Sequence, residues 1–336
     1  MTVFSKKVDR RALLRGAAAG GLGVAAATAM GAVPATAAPA RCRPLTPGVR
    51  HVDVPGGKVW INVVGEGRGL PLLLLHGGPG AGHDYLERLG ALADERPVIF
   101  YDQLGCGLSD KPDDPSLWTV RRFVAELSAV RRALGLTRYH LLGHSWGGFL
   151  AIEHMLREPA GVASAVLAST SGSSEEFLTG CRLLRSRLPR AVQDTLDHYE
   201  ALEQYTAPEY LAAVQVFYDN YLFRGTTPPD ELLRSLTNLD GNQVYAVLNG
   251  PNEFVMTGAL AQWDRRSRLR EIRQPILLTR GRYDEFEVTC TDNLQARLRH
   301  TERVEFTRSA HVAMLEEDQA YIAAVRSFLR RHDRRH

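Results

Sequence analysis

From residue 48 onward the apolar positions alternate between two rhythms. Short apolar runs bounded by Gly or Pro predict strands at His51–Val54, Lys58–Val64, Leu70–Leu75, Pro97–Tyr101, Tyr139–Leu142, Val162–Ser169, Pro275–Thr279 and Arg303–Phe306. The run from Leu70 to Leu75 is continuously apolar and ends in glycines, as expected for a strand buried on both faces. Between several strands the period lengthens. Val120, Phe123, Val124, Leu127, Val130 and Leu134 recur at three and four residues, with Thr119 as N-cap and Gly135 at the stop, so one helical face should lie on the sheet. A second helical pattern runs from Phe149 to Leu156. Strand and helix in alternation predict an α/β fold with a mainly parallel sheet and helices on both faces.

The rhythm breaks between Gly172 and Asp264. This stretch carries Leu, Tyr, Arg and Glu at helical spacings and is punctuated by Pro189, Pro208, Pro228, Pro229 and Pro251. It is too long for a structureless loop in a compact domain. It predicts an inserted helical cap, 172–264, over the C-terminal edge of a core formed by 38–171 and 265–336. Open parallel sheets bind ligands at that edge.

Composition changes the picture only after the charge is located. The chain of 336 residues is 44% hydrophobic and 24% charged, which fits a folded soluble protein. Its net charge is +3, but residues 1–37 hold Lys6, Lys7, Arg10, Arg11 and Arg15 against Asp9 alone, a local +4. The remaining 36 basic and 37 acidic side chains leave −1, with no basic excess of the kind a nucleic-acid binder needs. Paired Arg10 and Arg11, an Ala/Gly-rich run, and Ala35-Thr36-Ala37 have the form of a twin-arginine export signal. The expectation is an exported protein, handled by the twin-arginine machinery and signal peptidase, with no membrane anchor after processing. Cys42, Cys106, Cys181 and Cys290 are not at metal-ligand spacing, and an oxidising compartment permits a disulfide without identifying it. Cys106, in a glycine-rich loop, reads as a small buried filler. The final RRHDRRH is a short basic tail whose pattern gives no role beyond solvation.

Candidate chemistry sits in four segments. Gly143-His144-Ser145-Trp146-Gly147 fits G-x-S-x-G between a strand and a helix, a turn that lifts Ser145 clear of the sheet. His76-Gly77-Gly78-Pro79-Gly80 closes the leucine strand, and the N–H groups of Gly78 and Trp146 are candidates for an oxyanion hole. Gly281-Arg282-Tyr283-Asp284-Glu285 and Ser309-Ala310-His311 each follow a late strand. The chain order Ser145, Asp284, His311 is the order of an α/β-hydrolase triad. In that arrangement His311 takes the serine proton and Asp284 fixes its tautomer. His76, His83 and His144 read as groups that shape the site, and Asp102 and Gln103 as loop packing.

HGGPGAGHDYL from His76, YDQLGCGLSD from Tyr101, GHSWGG from Gly143, NGPNEF from Asn249 and GRYDE from Gly281 occur together in one order. With these motifs the chain from about His51 onward resembles the prolyl aminopeptidases, or proline iminopeptidases. It is most similar to the branch that contains the tricorn-interacting aminopeptidase and related amino-acid amidases. The resemblance implies an α/β-hydrolase with a helical cap that removes one N-terminal residue from a small peptide or amide, without metal or organic cofactor. It also implies that Glu253, in the cap, and Glu285, beside Asp284, hold the substrate's α-amino group. Without the resemblance, Glu253 reads as a helix-surface carboxylate and Glu285 as a partner for Arg282. An amidase for amino-acid amides or for aminoacyl groups on secondary metabolites would use the same residues. A non-catalytic binding protein on this scaffold is a third reading, opposed by the intact Ser145, Asp284 and His311.

Overall fold

Leu72–Leu75 turn alternate side chains to opposite faces of a central sheet. Leu73 and Leu75 join one hydrophobic cluster, Leu72 and Leu74 the other, and Ile99 with Tyr101 and Val98 with Phe100 divide the same way on the neighbouring strand. Two covered faces explain why these strands are apolar without alternation. Each leucine fully buried in this way contributes about 1.5–3 kcal/mol.

The computed structural model describes residues 45–333. Its strands are β1 (Gly48–Val54), β2 (Gly57–Val64), β3 (Leu72–Leu75), β4 (Val98–Tyr101), β5 (Tyr139–His144), β6 (Val162–Ala168), β7 (Ile276–Gly281) and β8 (Thr301–Phe306). They form one sheet in the order β1-β2-β4-β3-β5-β6-β7-β8. The β2 strand is antiparallel to both its neighbours, and the remaining pairs are parallel. Every expected strand is present, shifted at its ends by a few residues. The parallel strands therefore deliver the segments that follow β3, β5, β6, β7 and β8 to one edge of the sheet.

Helices α1 (Val120–Ala133) and α2 (Trp146–Arg157) pack on the sheet. The Thr119 hydroxyl accepts from Arg122 N–H at 3.2 Å, and Gly135 adopts φ +64° just past the end of α1, as the sequence pattern requires. Between β6 and β7 come α3 (Ser174–Arg185), α4 (Arg190–Ala201), α5 (Pro208–Tyr221), α6 (Asp230–Leu239) and α7 (Gln243–Leu248), with no strand of the sheet among them. The prolines here start helices more than they break them. Pro189 and Pro229 are N-caps and Pro208 is the first residue of α5, a position where the missing N–H costs nothing. The chain closes with α8 (Val288–Arg297), α9 (Ala313–Glu316) and α10 (Asp318–His332). None of these helices is long and apolar enough to cross a membrane.

Residues 330–333, the described part of the basic tail, are anchored, although their pattern suggested only solvation. Arg330 and Arg331 pair with Glu95 and Glu302, and the Asp333 carboxylate accepts from the fully buried Arg96 at 2.8 and 3.0 Å. The same carboxylate takes Leu70 N–H at 3.0 Å and His140 Nε2–H at 3.2 Å, so it ties together the entries to β3, β4 and β5. Cys106, Cys181 and Cys290 are buried free thiols. Cys42 and the export-signal reading of residues 1–37 lie outside the described residues.

Candidate active site

Ser145 stands between β5 and α2 with φ +55°, a strained value for a residue with a side chain. The turn is held by three bonds. Ser145 N–H donates to Ala168 O at 2.9 Å, while Ser145 O accepts from Gly148 N–H at 2.8 Å and from the Thr170 hydroxyl at 2.9 Å. A side chain at Gly147 would put its Cβ 2.0 Å from the Leu75 carbonyl oxygen, so only glycine lets this turn close against the end of β3. Trp146 is the first residue of α2, and the leading N–H groups of a helix lack intrahelical acceptors.

His311 and Asp284 come from the segments after β8 and β7. Glycine at 281 lets these loops meet, since a Cβ there would lie 2.0 Å from Ala310 O. His311 Nδ1–H donates to Asp284 Oδ1 at 2.8 Å, which fixes the tautomer, and Phe286 N–H donates to the same oxygen at 3.0 Å. The Phe286 ring stacks on the imidazole with centroids 5.5 Å apart. The end of α5 also holds these loops, because Glu285 N–H and His311 N–H donate to Tyr221 O at 3.1 and 3.2 Å.

His311 Nε2 lies 3.4 Å from Glu285 Oε1. Arg282 does not pair with Glu285 but with Glu305, at 3.2 Å. Burial, reinforced by the nearby Glu253 and Asp284, pushes the Glu285 carboxyl up to about 8. Burial also works against a charged imidazole, yet Glu285 and Asp284 outweigh it and raise His311 to about 9. The second oxygen of Glu285 is buried without a hydrogen-bond partner.

A chain of hydrogen bonds joins the glycine loop after β3 to this histidine. Gly77 N–H donates to Tyr85 Oη at 2.8 Å, the Tyr85 hydroxyl donates to His144 Nδ1 at 2.8 Å, and His144 Nε2–H donates to His311 O at 2.9 Å. The carbonyl can only accept, so each proton position in the chain is determined. Burial holds the His144 pKa well below the usual histidine range, which keeps the ring neutral. On the other side of the loop, His76 Nε2 accepts from Gln103 N–H at 3.0 Å and Gln103 Oε1 accepts from Trp146 Nε1–H at 2.8 Å. Asp102 accepts from both His83 N–H, at 2.7 Å, and Leu108 N–H, at 2.8 Å, closing the YDQLGCG loop.

Glu253 follows α7 and reaches the same place from the segment between β6 and β7. Its carboxylate accepts from the hydroxyls of Tyr218 and Tyr245, the latter at 2.8 Å. Ser145, Gly78, Glu253 and Glu285 line two adjoining cavities, one larger than the other. The smaller one continues between Trp146, Phe149, Phe177 and Phe286. The larger one contains His311. A wider surface groove along Leu108, Leu233 and Arg234 touches none of these residues.

Residues 71–318 match the alpha/beta hydrolase fold family. A proline iminopeptidase from Heyndrickxia coagulans is 38% identical over 279 residues, covering 83% of this chain and 97% of the relative. The chain belongs to the proline iminopeptidase family. The crystal structure of a Mycobacterium smegmatis proline iminopeptidase superposes with a TM-score of 0.80 at 34% identity, covering 85% of this chain and 99% of that one. The structure of VinJ superposes with a TM-score of 0.82 at 32% identity over 85% of this chain and all of the other.

Within this family member, Ser145, Gly78, Trp146, Glu253 and Glu285 border one cavity, Asp284 stands behind His311, and His311 borders the adjoining one. Sequence reasoning missed Tyr85, Tyr218 and Tyr245. Their partners lie eight to 59 residues away and mostly on other elements, so no helical or strand period marks the hydroxyls, although Tyr85 falls within the HGGPGAGHDYL segment. The prolyl aminopeptidase-like chain is thus an enzyme whose site is built from the sheet edge on one side and the helices after β6 on the other.

Proposed function

We propose that this enzyme releases one N-terminal residue, proline or another small or apolar one, from peptides or amides by Ser145-His311-Asp284 catalysis. The observation that carries the reading is the unpartnered oxygen of Glu285, buried at the wall of the cavity that holds Ser145 and facing Glu253 in charge. Two carboxylates withdrawn from water are satisfied by a substrate's α-ammonium group, which also sets the reach from amine to Ser145. Internal peptide bonds lack that ammonium.

In this reading the first side chain enters the aromatic slot, and His311 removes the Ser145 proton as the oxygen attacks the first carbonyl. The N–H groups of Gly78 and Trp146 receive the developing oxyanion. His311, oriented by Asp284, then protonates the leaving amine and activates water to release the acyl group. An ammonium seated on Glu253 and Glu285 offsets the negative charge that holds a proton on His311, so the substrate itself favours the neutral base. Residues 1–37 support export of the mature chain. N-terminal sequencing that found Met1 or Thr2 on secreted material would overturn that part.

The test of the activity is a panel of aminoacyl fluorogenic amides, with and without a free amine, on wild type and Ser145→Ala. Turnover of free-amine substrates by the wild type alone is the expected result. Residual hydrolysis by Ser145→Ala near the wild-type rate would refute the assignment of the nucleophile.

A further inference from the structure

The two cavities that meet at Ser145 differ in lining, and the difference bears on what leaves the enzyme. This rests on the aminopeptidase reading above. A general acid must reach the leaving nitrogen, so the leaving group occupies the side of Ser145 where His311 stands. His311 lines the larger cavity and not the aromatic one. Beyond the shared residues, the larger cavity is walled by Ala81, Leu222, Leu232, Leu236, Leu239 and Val312.

Among the described residues, no Lys or Arg lines this chamber. Its ionisable groups other than the histidines and Tyr85 are Glu253 and Glu285, both acidic. His144 has both ring nitrogens engaged, by Tyr85 and by His311 O, and Ser235 Oγ accepts from Tyr85 N–H at 3.0 Å. The adjacent cation on α6, Arg234, is committed to Asp84 and Glu87 at 2.8 and 2.6 Å. A dipeptide's free carboxylate is two bonds from the scissile nitrogen, so it would be buried here beside leucines and two acids. An unpaired buried charge is heavily penalised. An uncharged apolar group would instead gain the leucine surface. Leu236 is 36% exposed and forms the rim, where a longer chain can leave the chamber.

The geometry points to the aliphatic chamber as a leaving-group subsite that selects an uncharged, apolar amine and rejects a free amino acid. The amine is either a C-terminally capped residue or a simple alkyl or aryl amine; both present the same chemistry to the leucines.

The experiment compares kcat/KM of the full-length protein for prolyl-leucine, prolyl-leucinamide, prolyl-hexylamide and prolinamide, and repeats it with Leu236→Arg. Leucinamide should exceed leucine by about tenfold or more, the scale expected for burying an unpaired carboxylate. Hexylamide should exceed prolinamide. Leu236→Arg, at the rim, should raise prolyl-leucine and lower prolyl-hexylamide. The order of hexylamide and leucinamide then tells which source of amine fits better. Prolyl-leucine cleaved as well as prolyl-leucinamide overturns the assignment in the wild type, with no variant needed, and so does an unchanged preference in a folded Leu236→Arg. No turnover of any of the four would bring down the aminopeptidase reading and this subsite with it. Turnover without discrimination removes only the subsite.

Discussion

Ser145, Asp284 and His311 reach the site from the edge of a parallel sheet, whereas Glu253 reaches it from helices that stand between β6 and β7. The two sides are held by different forces. At the sheet edge, backbone bonds and glycine contacts below van der Waals distance for any Cβ lock the turns, as at Gly147 and Gly281. On the helical side, Glu253 is positioned by two tyrosine hydroxyls from α5 and α7. The groups proposed to react thus sit on tightly held backbone, while the group proposed for the substrate amine sits on side chains that can be replaced one at a time. Chemistry and recognition should therefore fail separately.

The largest effect should come from the rigid side. Asp284→Asn keeps a hydrogen-bonding group against His311 Nδ1 but permits the wrong tautomer, so kcat should fall by about 10⁴-fold. KM for a prolyl amide should move little, and thermal unfolding should stay close to wild type. A loss of only a few fold, with the fold intact, would separate Asp284 from the chemistry.

The same contrast explains what the sequence made legible. Strands buried on two faces leave unbroken apolar runs, and a nucleophile turn needs glycines at fixed offsets, so Leu72–Leu75 and Gly143–Gly147 are visible without any structure. The position of His311 followed from chain order, although eleven histidines compete for the role. Glu253 had no such local mark. Its identification depended on resemblance, because its partners Tyr218 and Tyr245 lie 35 and 8 residues away and on different elements. The Tyr85–His144 chain and the Asp333 anchor were illegible for the same reason: hydrogen bonds between distant side chains leave no periodicity.

On the recognition side, Glu253→Gln should lower kcat/KM for free-amine substrates by about thirtyfold, the cost of truncating one partner of a buried charged pair. Simple esters without an amine should lose far less. Tyr218→Phe removes one hydroxyl donor to that carboxylate and should cost about two- to tenfold on the same substrates. Equal losses on amines and esters would show that Glu253 supports the packing of the helices between β6 and β7 instead of the substrate.

Glu285 touches both sides, and pH separates its roles. The proposed mechanism requires neutral His311, whose pKa is raised, so the acid limb of kcat/KM should lie above the ordinary histidine value of about 6.5. Glu285→Gln removes the largest of the charges that raise it, leaving Asp284, Glu253 and neutral His144 around the ring. The acid limb should then move to lower pH. An ester without an amine is the right substrate, because its own titration does not intrude. A limb that stays in place would mean that Glu285 does not act on the base.

The smallest effect on activity should come from the opposite edge of the sheet. Asp333 meets Arg96, His140 and Leu70 there, far along the strands from Ser145. Although burial opposes ionisation, His140 and Arg96 hold the Asp333 carboxyl well below its usual range, while His140 itself is kept neutral by burial and bonds through Nε2–H, with Nδ1 accepting from Ser164. A depressed carboxyl stabilises the fold above its unfolded pKa of about 3.9 and loses that contribution as pH falls through the folded value. Asp333→Asn should therefore cost about 1–3 kcal/mol at neutral pH, since it leaves the buried Arg96 with no carboxylate nearer than Glu95 at 3.6 Å. The difference from wild type should shrink as the pH drops below 4 by roughly the carboxylate range. Specific activity of the folded variant should be unchanged, because the bonds that hold Ser145 and His311 are all made at the other edge. Loss of activity in step with stability would show that the turns at Gly147 and Gly281 depend on how the strands are seated at their starts, and that the rigid side is one unit from edge to edge.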